Sequence, residues 1–290
     1  YKGSDITDEK PVLEQKLEDC TVTLPSSYAA KGQSQTLRIF LEDAHTGVEV
    51  ELRYTLFEGS DAIARSAVIT NKGDASVDIL RAMTVAMDFD RAQYDWHTFN
   101  GSWARERILE RSPLHHGKQS VDSLKGESSH QSNPFVMLTS HNADERTGDA
   151  YGFCLVYSGN FTATAEVTQH KRTRFVMGIN DMDFSWRLAP GAAFAVPEAL
   201  MVYSDSGIGQ MSRTFHDVIR EHIIRGEYKG KSRPVLINNW EATYFDFDTD
   251  KLLAIADEAA KVGIEMLVMD DGWFGHRDAD NSSLGDWFVY

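Results

Sequence analysis

The sequence predicts a mainly β fold over residues 1–206, followed by an α/β fold over the remainder. Apolar and polar residues alternate with a period of two through the first part, as they do in half-buried strands. An amphipathic helix begins near residue 207, and a strand, a helix and a second strand come after it. We therefore expect three segments, which are an N-terminal β-sandwich domain over 1–206, a linker helix over 207–230, and the truncated start of a (β/α)8 TIM barrel over 231–290.

The strands of the β region are clearest at residues 48–54 (VEVELRY), where apolar and charged residues alternate. Residues 36–41 indicate a preceding strand, and residues 44–47 connect the two as a hairpin. Further strands are predicted over 62–70, 77–87, 152–157, 162–170, 172–178, 183–188 and 195–203. Many short strands separated by turn signals are typical of a large antiparallel sandwich.

Two segments of the β region, 99–107 and 126–135, are polar and aromatic and lack a strand pattern. We expect them to be long structured loops. Packing at a domain or subunit interface is favoured over direct ligand contact for both loops.

The α/β region begins with a helix over 207–225, in which Met211, Phe215, Val218, Ile219 and Ile223 recur at helical spacing. A strand over 234–238, a helix over 249–262 and a buried strand over 264–269 then predict a βαβ unit, with parallel strands and a right-handed crossover. A closed barrel of this type needs about 250 residues. We therefore expect the chain to be a piece of a longer protein that stops early in the barrel.

The acidic composition of the chain mainly argues against certain classes of binding partner. The chain has 44 acidic and 29 basic residues, a net charge of −15, which disfavours nucleic acid and anionic membrane surfaces and suits a neutral ligand such as a sugar. The two distant cysteines, Cys20 and Cys154, indicate reduced thiols and a cytoplasmic location. No apolar run reaches the roughly 18 residues of a membrane span, and no phosphate loop or dinucleotide motif predicts a cofactor.

Two polar and aromatic clusters follow the two predicted parallel strands, at 238–241 (NNWE) and 270–273 (DDGW). Ligands of parallel α/β folds bind at the carboxyl ends of strands. Adjacent carboxylates such as Asp270 and Asp271 can accept hydrogen bonds from vicinal sugar hydroxyls, and tryptophans such as Trp240 can cover the apolar face of a pyranose. The sequence therefore favours a sugar site.

Two alternatives remain open for these carboxylates. Asp270 could cap a following turn while Asp271 is simply solvated. A metal site built with Glu241 and His276 is a second alternative, although no spacing typical of a preformed metal site supports it.

Several separated motifs resemble bacterial α-galactosidases of glycoside hydrolase family 36, from about residue 30 onward. The motifs are 101–107 (GSWARER), 128–135 (SSHQSNPF), 157–161 (YSGNF), 183–187 (DFSWR), 234–247 (PVLINNWEATYFDF), 269–275 (MDDGWFG) and 283–288 (SLGDWF). The resemblance implies an N-terminal β-supersandwich, a catalytic TIM barrel and a small C-terminal β domain, assembled as a homotetramer. It also implies hydrolysis of melibiose and raffinose-type oligosaccharides that releases terminal α-linked galactose with retention of configuration.

The same resemblance assigns residues. Asp270 and Asp271 would bind the O4 and O6 hydroxyls of galactose, and Trp240 would line the pocket near C6; Trp273 and Trp287 are weaker candidates. The family's two catalytic aspartates lie on later barrel strands, the nucleophile in a Lys-Trp-Asp motif that this sequence lacks. We therefore expect no catalytic residue in this chain, and no activity from it alone. A non-catalytic carbohydrate-binding or interaction module, or a related barrel glycosidase of other sugar specificity, are the alternatives.

Overall fold

The computed structural model describes residues 1–290, which form two compact units, Tyr1–Ile224 and Arg225–Tyr290. None of its helices has the length and apolar character required to cross a membrane. The strands of the first unit are β1 (Gly3–Thr7), β2 (Glu14–Lys16), β3 (Thr21–Thr23), β4 (Ser34–Asp43), β5 (Val48–Phe57), β6 (Ala62–Asn71), β7 (Val77–Ile79), β8 (Met83–Phe89), β9 (Asp95–Ser102), β10 (Arg105–Pro113), β11 (Gly117–Asp122), β12 (Ser132–Thr139), β13 (Ala150–Val156), β14 (Phe161–Val167), β15 (Thr173–Ile179), β16 (Trp186–Leu188) and β17 (Ala193–Ser204).

Two antiparallel sheets pack face to face in the first unit. The large sheet has the order β1-β4-β5-β6-β17-β13-β12-β9-β10, with β2 paired to β17 and β3 paired to β2, and the smaller sheet has the order β11-β14-β15-β8. Phe153 of the large sheet stacks on Phe175 of the smaller one, with ring centroids 4.1 Å apart. Both rings are fully buried in one apolar cluster. This confirms the predicted antiparallel β-sandwich.

The outer face of the large sheet is covered by helix α1, Gly207–His222. Its apolar stripe, Met211, Phe215 and Val218, is buried against strands β6, β13 and β17. A methyl group added at Gly152 of β13 would lie 2.5 Å from a ring carbon of Phe215, so the helix requires a glycine there. The helix predicted near residue 207 is thus part of the first compact unit.

The structure corrects the two predicted loops. Most of 99–107 belongs to the hairpin of β9 and β10, and β12 begins at Ser132, inside 126–135. β10 is an edge strand whose residues are all exposed, so no alternation of apolar and polar residues marks it. These segments are strands because they form hydrogen bonds with neighbouring strands, and not because apolar and polar residues alternate along them.

The strand predicted over 77–87 is in fact two strands. β7 pairs with β16, whereas β8 pairs with β15 in the smaller sheet. The chain therefore changes sheets between Ile79 and Met83, which a continuous apolar pattern does not reveal.

The second unit contains β18 (Leu236–Asn238), α2 (Trp240–Thr243), α3 (Thr249–Lys261) and β19 (Met266–Val268). The two strands pair in parallel, with Ile237 opposite Leu267. α3 begins at an aspartate cap, since the Asp248 carboxylate accepts a 2.9 Å hydrogen bond from the backbone NH of Lys251. The strand–helix–strand order and the parallel pairing confirm the predicted α/β start.

Candidate functional site

The parallel pairing of β18 and β19 places the two polar clusters at one sheet edge. Asn238, the last residue of β18, lies opposite Val268, the last residue of β19. The Asn238 side chain then joins the clusters, because its Oδ1 accepts from the backbone NH of Trp240 (2.8 Å) and its Nδ2 donates to Oδ2 of Asp270 (2.6 Å). The structure thus connects Trp240 and Asp270 through a single amide.

Asn239 links Asp270, in the loop that follows β19, to α2. Its side chain is completely buried. Its Oδ1 accepts from the backbone NH of Asp270 (2.8 Å), and its Nδ2 donates to Oγ1 of Thr243 in α2 (2.9 Å). A buried amide with both ends hydrogen-bonded holds the start of the Asp270 loop at a fixed position relative to α2.

Both oxygens of the Asp270 carboxylate have partners on the protein. Oδ2 accepts from Asn238, and Oδ1 accepts from the backbone NH of Asp271 at 2.8 Å. The half-buried carboxylate is therefore oriented by its own loop and by the neighbouring strand. A carboxylate oxygen can accept more than one hydrogen bond, so these contacts leave capacity for a ligand.

The Asp271 carboxylate is held from one side only. Its Oδ2 accepts a 2.9 Å charge-assisted hydrogen bond from Nη2 of Arg277, while its Oδ1 accepts none from the protein. Hydrogen bonding to Asp271 raises the pKa of the Arg277 guanidinium above its ordinary value, and burial opposes that shift. The arrangement presents an oriented carboxylate oxygen beside the Asp270 carboxylate.

The aromatic residues differ in their surroundings. Trp240 is half-buried and makes edge contacts with Phe245 and Tyr244, with ring centroids 4.8 and 5.4 Å apart. Trp287 is 66% exposed. The backbone NH of Trp240 is linked to Asp270 through Asn238, whereas the Trp240 indole packs on Phe245 and Tyr244.

The residues proposed as alternative metal ligands have other contacts. Glu241 accepts a hydrogen bond from the hydroxyl of Tyr244 at 3.3 Å, and the His276 ring lies on that of Tyr290 at 3.7 Å. No group of three or more His, Cys, Asp or Glu side chains is placed to hold a metal ion.

Sequence reasoning missed Arg277 and assigned no role to Asn238 or Asn239. The adjacent amides directly after an apolar strand were an available signal, because polar residues at strand ends commonly bind ligands or organise the loops that do. Arg277 carried no signal of its own, since it lies in an irregular polar loop six residues beyond Asp271.

The fold and this edge define a class of protein. A large antiparallel sandwich is followed by the parallel strands of an α/β domain, and oriented carboxylates and amides lie at their carboxyl ends, where Trp240 begins α2. Such a combination is expected of a carbohydrate-active protein, since sugars are bound by carboxylates and amides through their hydroxyls and by aromatic rings through their apolar faces.

Comparison with known proteins identifies the family. Residues 1–189 match the model of the glycosyl hydrolase family 36 N-terminal domain, and residues 193–290 match the model of melibiase. The chain belongs to glycosyl hydrolase family 36, which confirms the resemblance found in the sequence motifs.

The relatives are bacterial and fungal α-galactosidases. The chain is 51% identical over 267 residues to α-galactosidase AgaA of Geobacillus stearothermophilus, covering 92% of this chain and 37% of that protein. It is 44% identical over 290 residues to α-galactosidase 1 of Pediococcus pentosaceus, covering 100% of this chain and 38% of that protein. The chain therefore spans well under half the length of these relatives.

Solved structures agree closely with the fold. A variant of the Geobacillus stearothermophilus enzyme in complex with raffinose superposes with a TM-score of 0.94 at 48% identity, covering all of this chain and 39% of that one. Another variant of the same enzyme, in complex with stachyose, superposes with a TM-score of 0.93 at 48% identity and the same coverage. The sandwich and the parallel unit both fall within the matched region.

Proposed function

We propose that the protein containing this chain is a retaining α-galactosidase that releases terminal α-linked galactose from melibiose and raffinose-type oligosaccharides. Family membership and relatives named as α-galactosidases support the activity. Variants of one homologous enzyme, crystallised with raffinose and with stachyose, support the substrate class. In this proposal residues 231–290 open the catalytic barrel, and the nucleophile and the acid/base come from barrel strands outside these 290 residues.

Within this function, Asp270 and Asp271 bind the O4 and O6 hydroxyls of galactose, and Trp240 lines the pocket near C6. The observation that carries the proposal is the pair of oriented carboxylates at the carboxyl edge of two parallel strands. Asp270 is held by Asn238 and by the following backbone NH, and Asp271 is held by Arg277 with one oxygen unpaired. Charge-assisted hydrogen bonds from sugar hydroxyls to such carboxylates are strong and directional.

This arrangement also offers a basis for sugar selectivity. Galactose and glucose differ only in whether the C4 hydroxyl is axial or equatorial, so an oriented acceptor serves one epimer and not the other. A site built to hydrogen-bond a hydroxyl rejects an analogue that leaves its polar groups unpaired. We expect the protein to discriminate strongly against α-glucosides.

The first experiment compares the full-length parent protein with the 290-residue chain on an aryl α-galactoside. Turnover by the full-length protein alone supports both the activity and the placement of the catalytic residues elsewhere. Turnover by the 290-residue chain would contradict that placement. If the folded parent protein does not hydrolyse α-galactosides, the proposed activity is wrong and other glycosides should be tested as substrates.

The second experiment tests the binding residues in the full-length protein. Replacing Asp271 with asparagine keeps an oxygen for Arg277 but removes the charge, and a hydrogen bond to a charged group contributes about 1.5–3 kcal/mol. We expect kcat/KM for the galactoside to fall about 10- to 150-fold. Asp257→Asn, on the exposed surface of α3, is the matched control. Equal kinetics for both variants would remove Asp271 from the site.

The tetramer implied by the resemblance remains a proposal. Light scattering on the full-length protein tests it directly, since a mass of one subunit would exclude it.

A further inference from the structure

We propose that Arg277 is a positioning residue, which fixes the orientation of the Asp271 carboxylate by tying it to the backbone of the 278–282 loop. The inference rests on the proposed role of Asp271 in binding a sugar hydroxyl. It adds a residue that does not touch the substrate but determines where the substrate-binding oxygen points.

The guanidinium of Arg277 connects two parts of the second unit. Its side chain is 7% exposed, and its Nη2 donates to Oδ2 of Asp271 at 2.9 Å. Its Nη1 points to three backbone carbonyls, those of Ala279 (3.0 Å), Asp280 (3.0 Å) and Ser282 (2.8 Å). One rigid planar group therefore holds the carboxylate at one nitrogen and the loop at the other.

The rest of the side chain is enclosed. The guanidinium carbon lies 5.8 Å from the ring centroid of Phe245 and 5.7 Å from that of Phe274. Nε is buried and has no hydrogen-bond partner, and Asp271 is the one carboxylate that forms an ion pair with Arg277. A nearly buried cation with a single carboxylate partner strongly favours that partner in one position.

The geometry has a direct consequence for ligand binding. Because Arg277 occupies only Oδ2, the second oxygen of Asp271 stays available in a defined direction. Rotation of the carboxylate would break the pair with Arg277, so the free oxygen is already oriented before the sugar arrives. Such preorganisation reduces the entropic cost of binding and raises discrimination between hydroxyl positions.

The loop is also closed by contacts that do not involve Arg277. The Ser282 hydroxyl donates to the carbonyl of Ala279 (3.0 Å) and accepts from the backbone NH of Ala279 (3.2 Å). The Ser283 hydroxyl accepts from the backbone NH of His276 (3.0 Å). A lysine at position 277 would keep the charge but lose the two-ended fork, while the Ser282 and Ser283 contacts that close the loop would remain.

The test uses the full-length protein with Arg277→Lys and Asp271→Asn, on an aryl α-galactoside and on its 4-deoxy and 6-deoxy analogues. For each enzyme, the readout is the kcat/KM for the parent substrate divided by that for each analogue. This ratio does not depend on the fraction of folded enzyme, so partial unfolding of a variant does not obscure it. Arg233→Lys is the matched control, since Arg233 also donates to backbone carbonyls but pairs with neither aspartate.

For one of the two deoxy analogues, we expect Asp271→Asn to bring the ratio of kcat/KM values close to one. Arg277→Lys should lower the ratio for that same analogue by about tenfold or more, equivalent to about 1.4 kcal/mol. The control should leave all ratios unchanged. If Asp271→Asn collapses a ratio while Arg277→Lys leaves every ratio at the wild-type value, Arg277 is structural and the inference is overturned with the proposed function intact. If Asp271→Asn changes no ratio, the role of Asp271 itself is wrong, and the positioning role falls with it.

Discussion

The ion pair between Lys10 and Glu198 is expected to be a main determinant of the stability of the first unit. The Lys10 side chain is 4% exposed and that of Glu198 is 1% exposed, with Nζ and Oε2 2.5 Å apart. The other oxygen of Glu198 accepts from the backbone NH of Ser27 at 2.6 Å. Glu198 lies in β17, at the register shift between Val196 and Ala199, so the pair joins the N-terminal segment to the centre of the large sheet.

The perturbation we propose is Lys10→Met, which removes the positive charge and retains much of the side-chain volume. Glu198 is then left in the interior with a single backbone NH. Breaking a buried pair by removing one partner costs about 3–5 kcal/mol. For a unit of this size each kcal/mol shifts the Tm by about 2–4 °C, so we expect a decrease of about 6–20 °C.

The measurement is thermal unfolding followed by near-UV circular dichroism at neutral pH. Lys2→Met is the matched control, because Lys2 pairs with Glu49 at the exposed surface, where ion pairs contribute little. Lys10→Met/Glu198→Gln removes both charges and keeps an acceptor for Ser27, so it should recover most of the loss. If Lys10→Met lowered the Tm no more than Lys2→Met, water would have to reach the pair and the reasoning from burial would be wrong.

Three further predictions concern the first unit. Burial lowers the pKa of His97 to about 4. Between pH 7 and pH 5 the unfolded chain binds a proton at this histidine, whose unfolded pKa is near 6.5, and the folded protein does not, so the free energy of unfolding should fall by about 2 kcal/mol. Urea unfolding of His97→Gln at each pH should not show this decrease. Gly152→Ala should lower the free energy of unfolding, measured in urea, by about 1–3 kcal/mol, because the added methyl group clashes with Phe215. The double variant Gly152→Ala/Phe215→Leu should recover part of this loss. An unchanged free energy of unfolding in Gly152→Ala would mean that α1 does not pack as described. A thiol reagent at pH 8 should modify the exposed Cys20 faster than the partly buried Cys154, since burial raises the pKa of the Cys154 thiol to about 11. Equal rates for the two thiols would contradict the raised pKa of Cys154.

Much of the fold follows from local periodicity. Residues 48–54 alternate with a period of two, residues 62–70 are an apolar-rich run followed by a turn signal, and both lie within long strands of the large sheet. The helical spacing after residue 207 was sufficient to predict α1, and the strand–helix–strand order after 234 was sufficient to predict the parallel pair β18 and β19. Such patterns are visible in the sequence because each face of an element is either buried or exposed along its whole length.

The candidate site was predictable only in part. Asp270, Asp271 and Trp240 follow from their position after parallel strands and from the resemblance to a family. The amide of Asn238 that joins two of them was not predictable, because its contact with Asp270 spans 32 positions in the chain. The same is true of Arg277, whose role depends on a turn that returns it to Asp271.

The sequence by itself determined the class of fold, the change from β to α/β structure and the family, because these depend on periodicity and on motifs read in order. Only the tertiary structure decided that β10 and β12 are strands, that Lys10 is paired within the interior, and which oxygens of the two aspartates are held. The physical reason is that hydrogen bonds and ion pairs between distant segments depend on where the folded chain brings them together. A local pattern contains no information about a partner far away in sequence.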